Sequence, residues 1–248
     1  MKDRPPTRRG IPSVISSIYD PLGFIAPLIL PAKAILHDLC GKGLDWDDRI
    51  PHRHLVRWQD WLKELPKLEQ FAVEPCLKPQ NFGCIVSSQL HNFSDASGEG
   101  YGAVSYCRVV NEAKNVHCAF LIGKSRQTPQ KSVTIPRLEL SAALVAIRLN
   151  RMMQHKFDVA VDEEFFWTNS TCVLSYINKD KRFQTFVANR ITTTHEGSRP
   201  DQWYYVDTGS NPSDDASRGL SAEELIHKSR WTNGKRTAGL RNPTFLWK

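Results

Sequence analysis

Apolar residues in the first third of the chain recur at helical spacing. After Pro31, a stripe of apolar side chains runs from Ala32 to Leu39 and ends before two glycines. A second stripe runs from about Pro51 to Leu65 and includes Trp58 and Trp61, three residues apart. Apolar positions separated by three and four residues lie on one face of a helix. We therefore predict two helices here, with the tryptophans in a core.

The pattern changes after residues 76–88, which form a predicted connector. Three short apolar segments follow with tight connections between them, which is typical of an antiparallel meander. We place these strands at Leu90–Ser94, Ala103–Val109 and Val116–Ile122. Beyond them we predict a long helix from Pro136, a strand at Phe165–Trp167, helices at Cys172–Ile177 and Phe186–Ile191, a strand at Trp203–Val206 and a helix at Asn211–Arg218.

This order of elements indicates an α/β fold in which a mixed five-stranded sheet is flanked by helices. The patterns divide the chain into four parts. Residues 1–10 are polar and rich in proline, and we expect a flexible lead-in. Residues 11–88 are mainly helical, residues 89–220 form the α/β domain, and residues 221–248 are a tail.

Composition adds little to the fold prediction but limits the possible partners, metals and cellular location. The formal net charge is +7, from 33 Lys+Arg against 26 Asp+Glu. This excess is compatible with a nucleic-acid partner and equally with an ordinary basic protein. The six cysteines include no C-x-x-C pair, which argues against zinc. No signal peptide is recognisable, and prolines interrupt the apolar stretch near residues 23–36. We expect an intracellular protein, cytoplasmic or nuclear, with no membrane partner.

Four polar positions occupy the ends of predicted elements. Asp95 ends the first strand, Glu139 lies in the first turn of the long helix, Asn169 follows the fourth strand and Asp214 opens the last helix. Each has an ordinary explanation alone, since turns and helix N-termini favour acidic residues. Their order along this succession of elements favours a shared site.

Several phrases around these positions resemble one family. FSDAS (93–97), IPRLEL (135–140), FVANR (186–190) and NPSDDASRG (211–219) resemble the RNase H region of Bel/Pao-type LTR retrotransposon polyproteins. The segment RGIPSVISSIYDPLGFIAPLILPAK (9–33) resembles the part that follows the reverse transcriptase palm. The resemblance extends from about residue 9 to 246. It implies a polyprotein fragment with a thumb- or connection-like helical segment before an RNase H-like domain.

The activity implied by this resemblance is metal-dependent hydrolysis of RNA in RNA–DNA hybrids. By resemblance, Asp95 would bridge two Mg²⁺ or Mn²⁺ ions, Glu139 and position 169 would complete one metal site, and Asp214 would complete the other. Asp214 fits the family pattern better than its neighbour Asp215. The family pattern W-T-D-S is W-T-N-S here, so one carboxylate is replaced by a neutral amide. We expect nuclease activity to be severely reduced or absent, with weak one-metal turnover as the alternative.

Basic residues beside the predicted site are candidates for contacts with the hybrid backbone. Such contacts give affinity without reading sequence. Solvated surface charges are an equally good explanation. The oligomeric state stays open. The candidates are Lys124, Arg126, Lys131, Arg137, Lys179, Lys181 and Arg182.

Two rival functions belong to other classes. A non-catalytic nucleic-acid-binding or scaffold remnant would use the same fold. An aspartic peptidase is suggested by the D-T-G-S tetrapeptide at 207–210. That motif needs a following hydrophobic strand, and Asn-Pro-Ser-Asp-Asp stands there instead.

Overall fold

The structure is a computed structural model that describes residues 7–73, 78–156, 160–179 and 182–232. Its centre is a mixed five-stranded sheet with the order β3-β2-β1-β4-β5. This architecture confirms the predicted α/β class. The strands are β1 (Ile85–Ala96), β2 (Gly100–Asn111), β3 (Val116–Gln127), β4 (Glu163–Thr168) and β5 (Trp203–Tyr205).

Strand direction decides which residues share an edge. β1, β2 and β3 form an antiparallel meander, whereas β4 pairs in parallel with β1 and β5 in parallel with β4. Ser94 of β1 is paired with Thr168 of β4. The carboxyl ends of these two strands therefore meet at one edge, which we call the carboxyl edge.

Eight α-helices are present among the described residues. Three precede the sheet, and the others follow the meander. None of them combines the length and the apolar character that crossing a membrane requires. The helices are α1 (Gly10–Ser16), α2 (Ala26–Gly41), α3 (His52–Glu64), α4 (Ile135–Lys156), α5 (Thr171–Asn178), α6 (Thr185–Gly197), α7 (Ser213–Arg218) and α8 (Ala222–His227).

The two faces of the sheet are covered by different helices. α4 packs on β1 and β2 and places Leu140 and Ile147 against Phe166. On the opposite face, α2, α7 and α8 surround Phe93 and Trp231, both fully buried. Burying both faces makes the sheet the centre of the core.

The helical segment before the sheet docks closely on β3. Gly23 adopts a positive φ of 80°. A Cβ on Gly23 would lie 2.0 Å from the Gly123 carbonyl oxygen, and one on Gly123 would lie 2.1 Å from the Trp231 ring. The Trp231 indole also donates to the Gly23 carbonyl oxygen at 2.8 Å. Only residues without a side chain allow this contact.

A second small core joins α1, α2 and α3. It contains Trp58 and Trp61, which are stacked at 5.0 Å and are both buried, as their spacing predicts. The Trp61 indole donates to the Leu28 carbonyl oxygen at 2.8 Å. This core fixes the angle between α2 and α3.

Some boundaries differ from the predictions. β1 begins at Ile85, inside the predicted connector, because its first residues pair with the end of β2. The long helix begins at Ile135, so Glu139 lies in its second turn rather than the first. The last predicted helix begins at Ser213 rather than Asn211, and α8 follows it.

Candidate functional site

Asp95 and Asn169 lie side by side because of the parallel pairing of β1 and β4. Asp95 follows Ser94, and Asn169 follows Thr168, the partner of Ser94. Both side chains therefore reach the carboxyl edge. The Asn169 side chain lies beside the Asp95 carboxyl and acts to lower the pKa of that carboxyl.

Asp95 is the most buried acid of the predicted set, at 3% exposure. Burial raises the pKa of its carboxyl above the usual value, and the nearby charge of Asp214 acts in the same direction. Against this, the Ser217 hydroxyl donates to Asp95 Oδ2. Ser217 belongs to α7, which packs against β1 and so reaches the site. Desolvation outweighs these hydrogen bonds.

Glu139 approaches from α4. The Ser170 hydroxyl donates to Glu139 Oε2 at 2.7 Å. The pKa of Glu139 is raised, first by burial and also by the charge of Asp95. Ser170 has a second role, since its hydroxyl caps α5 by accepting from Val173 N at 3.1 Å. The residue after Asn169 therefore ties α5 to the acid on α4.

Asp214 lies near Asp95, but its carboxylate is already occupied. Arg218 donates to Asp214 Oδ1 at 2.7 Å, and Arg230 donates to Oδ2 at 3.1 Å. Asp215 points into the protein and accepts from Ser229 and from the backbone and side chain of Arg230. Asp215 therefore has a structural role, and its burial raises its pKa.

Asn169 presents its amide nitrogen to its neighbours. Nδ2 donates to Thr208 Oγ1 at 3.3 Å, and the side chain also lowers the pKa of Asp95. Its Oδ1 is buried and has no hydrogen-bond partner among the described residues. A carboxylate at this position would place a second acid beside Asp95, whereas the amide favours ionisation of Asp95.

These contacts bear on the two-metal site implied by the resemblance. The donors are oxygens, which suit Mg²⁺ or Mn²⁺. Yet in the described part of the chain no three His, Cys, Asp or Glu residues form a group that could hold a metal ion. Arginines bind the Asp214 carboxylate, and a neutral amide rather than a carboxylate lies beside Asp95. This arrangement does not fit a pair of divalent ions.

The sequence did not predict that Ser217 contacts Asp95 or that Arg218 and Arg230 contact Asp214. The spacing of Asp214 and Arg218, four residues apart on a helix, is a signal that could have revealed one pair. Arg230 lies beyond α8, and no local pattern predicts its return to the site.

The predicted nucleic-acid contacts lie on three segments. Alternation along β3 places Lys124 and Arg126 on one face, both exposed. Arg137 is partly buried and donates to Gln184 Oε1 at 3.0 Å. Lys181 lies outside the described residues. The remaining candidates are exposed: Lys131, Lys179 and Arg182.

The D-T-G-S tetrapeptide forms a short 3₁₀ turn at Thr208–Ser210. Asp207 accepts from the Ser210 backbone at 3.1 Å and caps this turn. Arg230 donates to the carbonyl oxygens of Thr208 and Gly209. The turn therefore holds Thr208 beside Asn169.

Comparison with known proteins gives a family. A family model described as a Pao retrotransposon-like RNaseH-like domain matches residues 7–170. The match includes Asp95, Glu139 and Asn169, and Asp214 lies beyond it. No curated protein matches.

Three solved structures illustrate the structural likenesses. RNase H1 from the archaeon Halobacterium salinarum is 14% identical, with a TM-score of 0.31 over 56% of this chain and 97% of that one. An N-terminal RNase H domain from Mycobacterium tuberculosis, fused to maltose-binding protein, is 10% identical, with a TM-score of 0.30. The match covers 49% of this chain and 84% of that one. LC11-RNase H1 in complex with an RNA/DNA hybrid is 14% identical, with a TM-score of 0.26. The match covers 58% of this chain and 96% of that one.

Proposed function

Since this chain belongs to the family of Pao retrotransposon-like RNaseH-like domains, we propose that it binds RNA–DNA hybrids at the carboxyl edge and hydrolyses their RNA very slowly or not at all. The observation that supports this most directly is the neutral amide of Asn169 beside Asp95, whose pKa it lowers. The family activity would need a carboxylate there.

The impairment follows from charge. Two-metal hydrolysis needs several carboxylates to hold two dications that activate water and stabilise the leaving oxygen. Asn169 removes one negative charge, and two arginines compensate Asp214. Because metal affinity depends on ligand charge and on its surroundings, both changes weaken ion binding.

Binding does not require the missing carboxylate. Lys124 and Arg126 are exposed on β3, the strand whose last residues pair with the start of β2. Phosphate contacts by such cations supply affinity that is independent of sequence and falls as salt rises. A nucleic-acid interface therefore survives loss of catalysis.

Filter binding with labelled RNA–DNA hybrids of unrelated sequence tests this function. We expect weak binding that decreases with salt, and Lys124→Ala with Arg126→Ala should lower affinity for all sequences alike. Lys114→Asn is a matched control, since it removes an exposed cation at the distant β2–β3 turn, where φ is 62° and asparagine is tolerated. Salt-independent binding, or none at low salt, would contradict the proposal.

The occupied carboxylate of Asp214 also favours a second candidate, a purely non-catalytic nucleic-acid-binding or scaffold remnant. The two candidates differ in whether an aspartate at position 169 restores cleavage. A remnant would stay inert while still binding the hybrid.

A further inference from the structure

A polar cavity lies away from the carboxyl edge, between α2, α3 and the segment after β3. Its volume is about 520 Å³. α2 contributes its last turns, α3 its first turns, and the segment after β3 a glutamine. Side chains lining it include Asp38, Lys42, Arg53, His54, Arg57 and Gln130. We call this cavity the helical pocket.

Positive charge dominates the helical pocket. Its one carboxylate, Asp38, is bound by Arg57 through Nη1 at 2.7 Å. Lys42 and Arg53 are exposed and have no ion-pair partner among the described residues. Two cations are therefore left uncompensated, which favours an anionic ligand.

Two histidines in the wall each have one buried ring nitrogen without a hydrogen-bond partner in the described structure. His54 is only 3% exposed, and its Nδ1 has no hydrogen-bond partner in the described structure. Nε2 of the same ring lies 4.0 Å from Asp38 Oδ2, beyond hydrogen-bond distance. His37, also in this wall, has an unpartnered buried Nε2. Unpaired buried polar atoms are costly, so a ligand with acceptor oxygens would relieve an existing penalty.

The charges around His54 favour binding of an anion in the helical pocket. Its pKa is lowered, first by burial and then by Lys42, while Asp38 acts in the opposite direction and the two arginines add to the lowering. The groups that face this ring thus disfavour its protonation when the pocket holds no anion. A bound anion would reverse the balance and raise the pKa of His54.

The segment after β3 contacts both the helical pocket and the turn that follows β1. Gln130 Nε2 donates to the His37 carbonyl oxygen at 3.4 Å. Two residues earlier, Thr128 Oγ1 donates to the carbonyl oxygen of Gly98 at 3.3 Å. Gly98 lies three residues after Asp95 in the chain. This segment therefore lies between the helical pocket and the turn that follows β1.

We propose that the helical pocket binds one phosphate group of a nucleic-acid strand whose neighbouring nucleotides lie at the carboxyl edge. Lys42 and Arg53 contact the phosphate oxygens, and His54 donates a hydrogen bond once protonated. This inference rests on the proposed hybrid binding and adds a contact from the helical segment. Because only the backbone is touched, the contact is independent of base sequence.

The first test measures hybrid affinity of the full chain by fluorescence anisotropy between low and moderate salt. Lys42→Gln with Arg53→Gln should weaken binding about tenfold at low salt. The slope of log affinity against log salt should fall by about 1, as for the loss of one phosphate contact. Lys114→Asn should change neither value. Both replaced side chains are exposed, and circular dichroism verifies that the variant is folded.

The second test follows the His54 imidazole by ¹⁵N NMR during pH titrations. The hybrid should raise the pKa of His54 in the natural chain and leave it nearly unchanged in the double variant. Inorganic phosphate is the comparison ligand. A pKa that rises with phosphate but not with bound hybrid would overturn the proposal, because the pocket would then serve a free anion.

The outcomes of these tests distinguish failure of the helical pocket from failure of the proposed hybrid binding. Hybrid binding that is unaffected by the double variant would overturn the helical pocket alone. Absence of hybrid binding under all conditions would overturn both. A tenfold loss, a reduced salt slope and a hybrid-dependent His54 shift together support the pocket.

Discussion

Replacing Asn169 by aspartate puts a second carboxylate directly against Asp95. The natural amide lowers the pKa of that buried acid, and the variant replaces the amide with a like charge. The change in size is minimal, so packing is preserved. We expect Asn169→Asp to be less stable than the natural chain at neutral pH when no divalent ion is present.

The expected loss is about 2–4 kcal/mol. A hydrogen bond to a charged group contributes roughly 1.5–3 kcal/mol. Two like charges about 4 Å apart repel by about 4 kcal/mol at an effective dielectric constant of 20. Proton uptake by one of the pair limits the total cost. For a chain of this size, the melting temperature should fall by roughly 5–15 °C.

The pH dependence has a definite sign. Like-charge repulsion raises the folded-state pKa of the pair above its unfolded value, so the folded state binds protons more strongly. The stability deficit therefore appears as pH rises above the unfolded pKa, near 4, and is largest at neutral pH. It should shrink when the pH falls below about 4.

Divalent ions should reverse the loss. Mg²⁺ or Mn²⁺ at about 100 times its dissociation constant would return roughly 2.7 kcal/mol to the variant. The natural chain should gain little stability, because its described residues contain no cluster of three or more His, Cys, Asp or Glu side chains that could hold a metal ion. Thermal melts by differential scanning fluorimetry, with and without EDTA, measure both effects. Asn81→Asp, the same substitution at an exposed position, controls for the added charge.

Two results would refute this reasoning. If the natural chain is stabilised by Mg²⁺ as much as Asn169→Asp is, the amide does not disable ion binding. If the variant is as stable as the natural chain in EDTA, the Asn169 amide does not support Asp95.

Other predictions concern the parts that position the site. Gly123→Ala should destabilise the chain by about 1–3 kcal/mol in urea denaturation, since its Cβ would meet Trp231 at 2.1 Å; Gly98→Ala, with nothing within 4 Å, should not. Arg230→Gln should cost roughly 3–5 kcal/mol in the same assay because it removes the ion-pair partner of the buried Asp215; an unchanged midpoint would contradict this. Carboxyl ¹³C NMR should give Asp95 a pKa above its ordinary value, and a normal or low value would refute the burial argument.

The succession of elements was predictable because each one has a regular apolar pattern. Short apolar segments and helical spacing located the strands and the long helix, and the parallel pairing of two strands then follows from a mixed sheet. Asp95 and Asn169 were placed at element ends by the same reasoning. Their side-by-side position needed only the register Ser94–Thr168.

Long-range polar contacts were not predictable. Asn92 is fully buried in the middle of β1, where it donates to Asn150 and accepts from Ser105. Polar residues with such distant partners leave no periodic signal in the sequence. Arg230 compensates Asp214 from beyond α8 for the same reason. The helical pocket likewise depends on the angle between α2 and α3, which tertiary packing sets.

Cleavage of a labelled RNA–DNA hybrid, with Mg²⁺ and with Mn²⁺, tests the central claim most directly. The natural chain should bind the hybrid and cleave it negligibly, whereas Asn169→Asp should cleave at least ~100-fold faster, equivalent to about 2.7 kcal/mol in activation free energy. Adding Asp95→Asn to that variant should abolish the gain. Cleavage by the natural chain as fast as by Asn169→Asp would contradict the account.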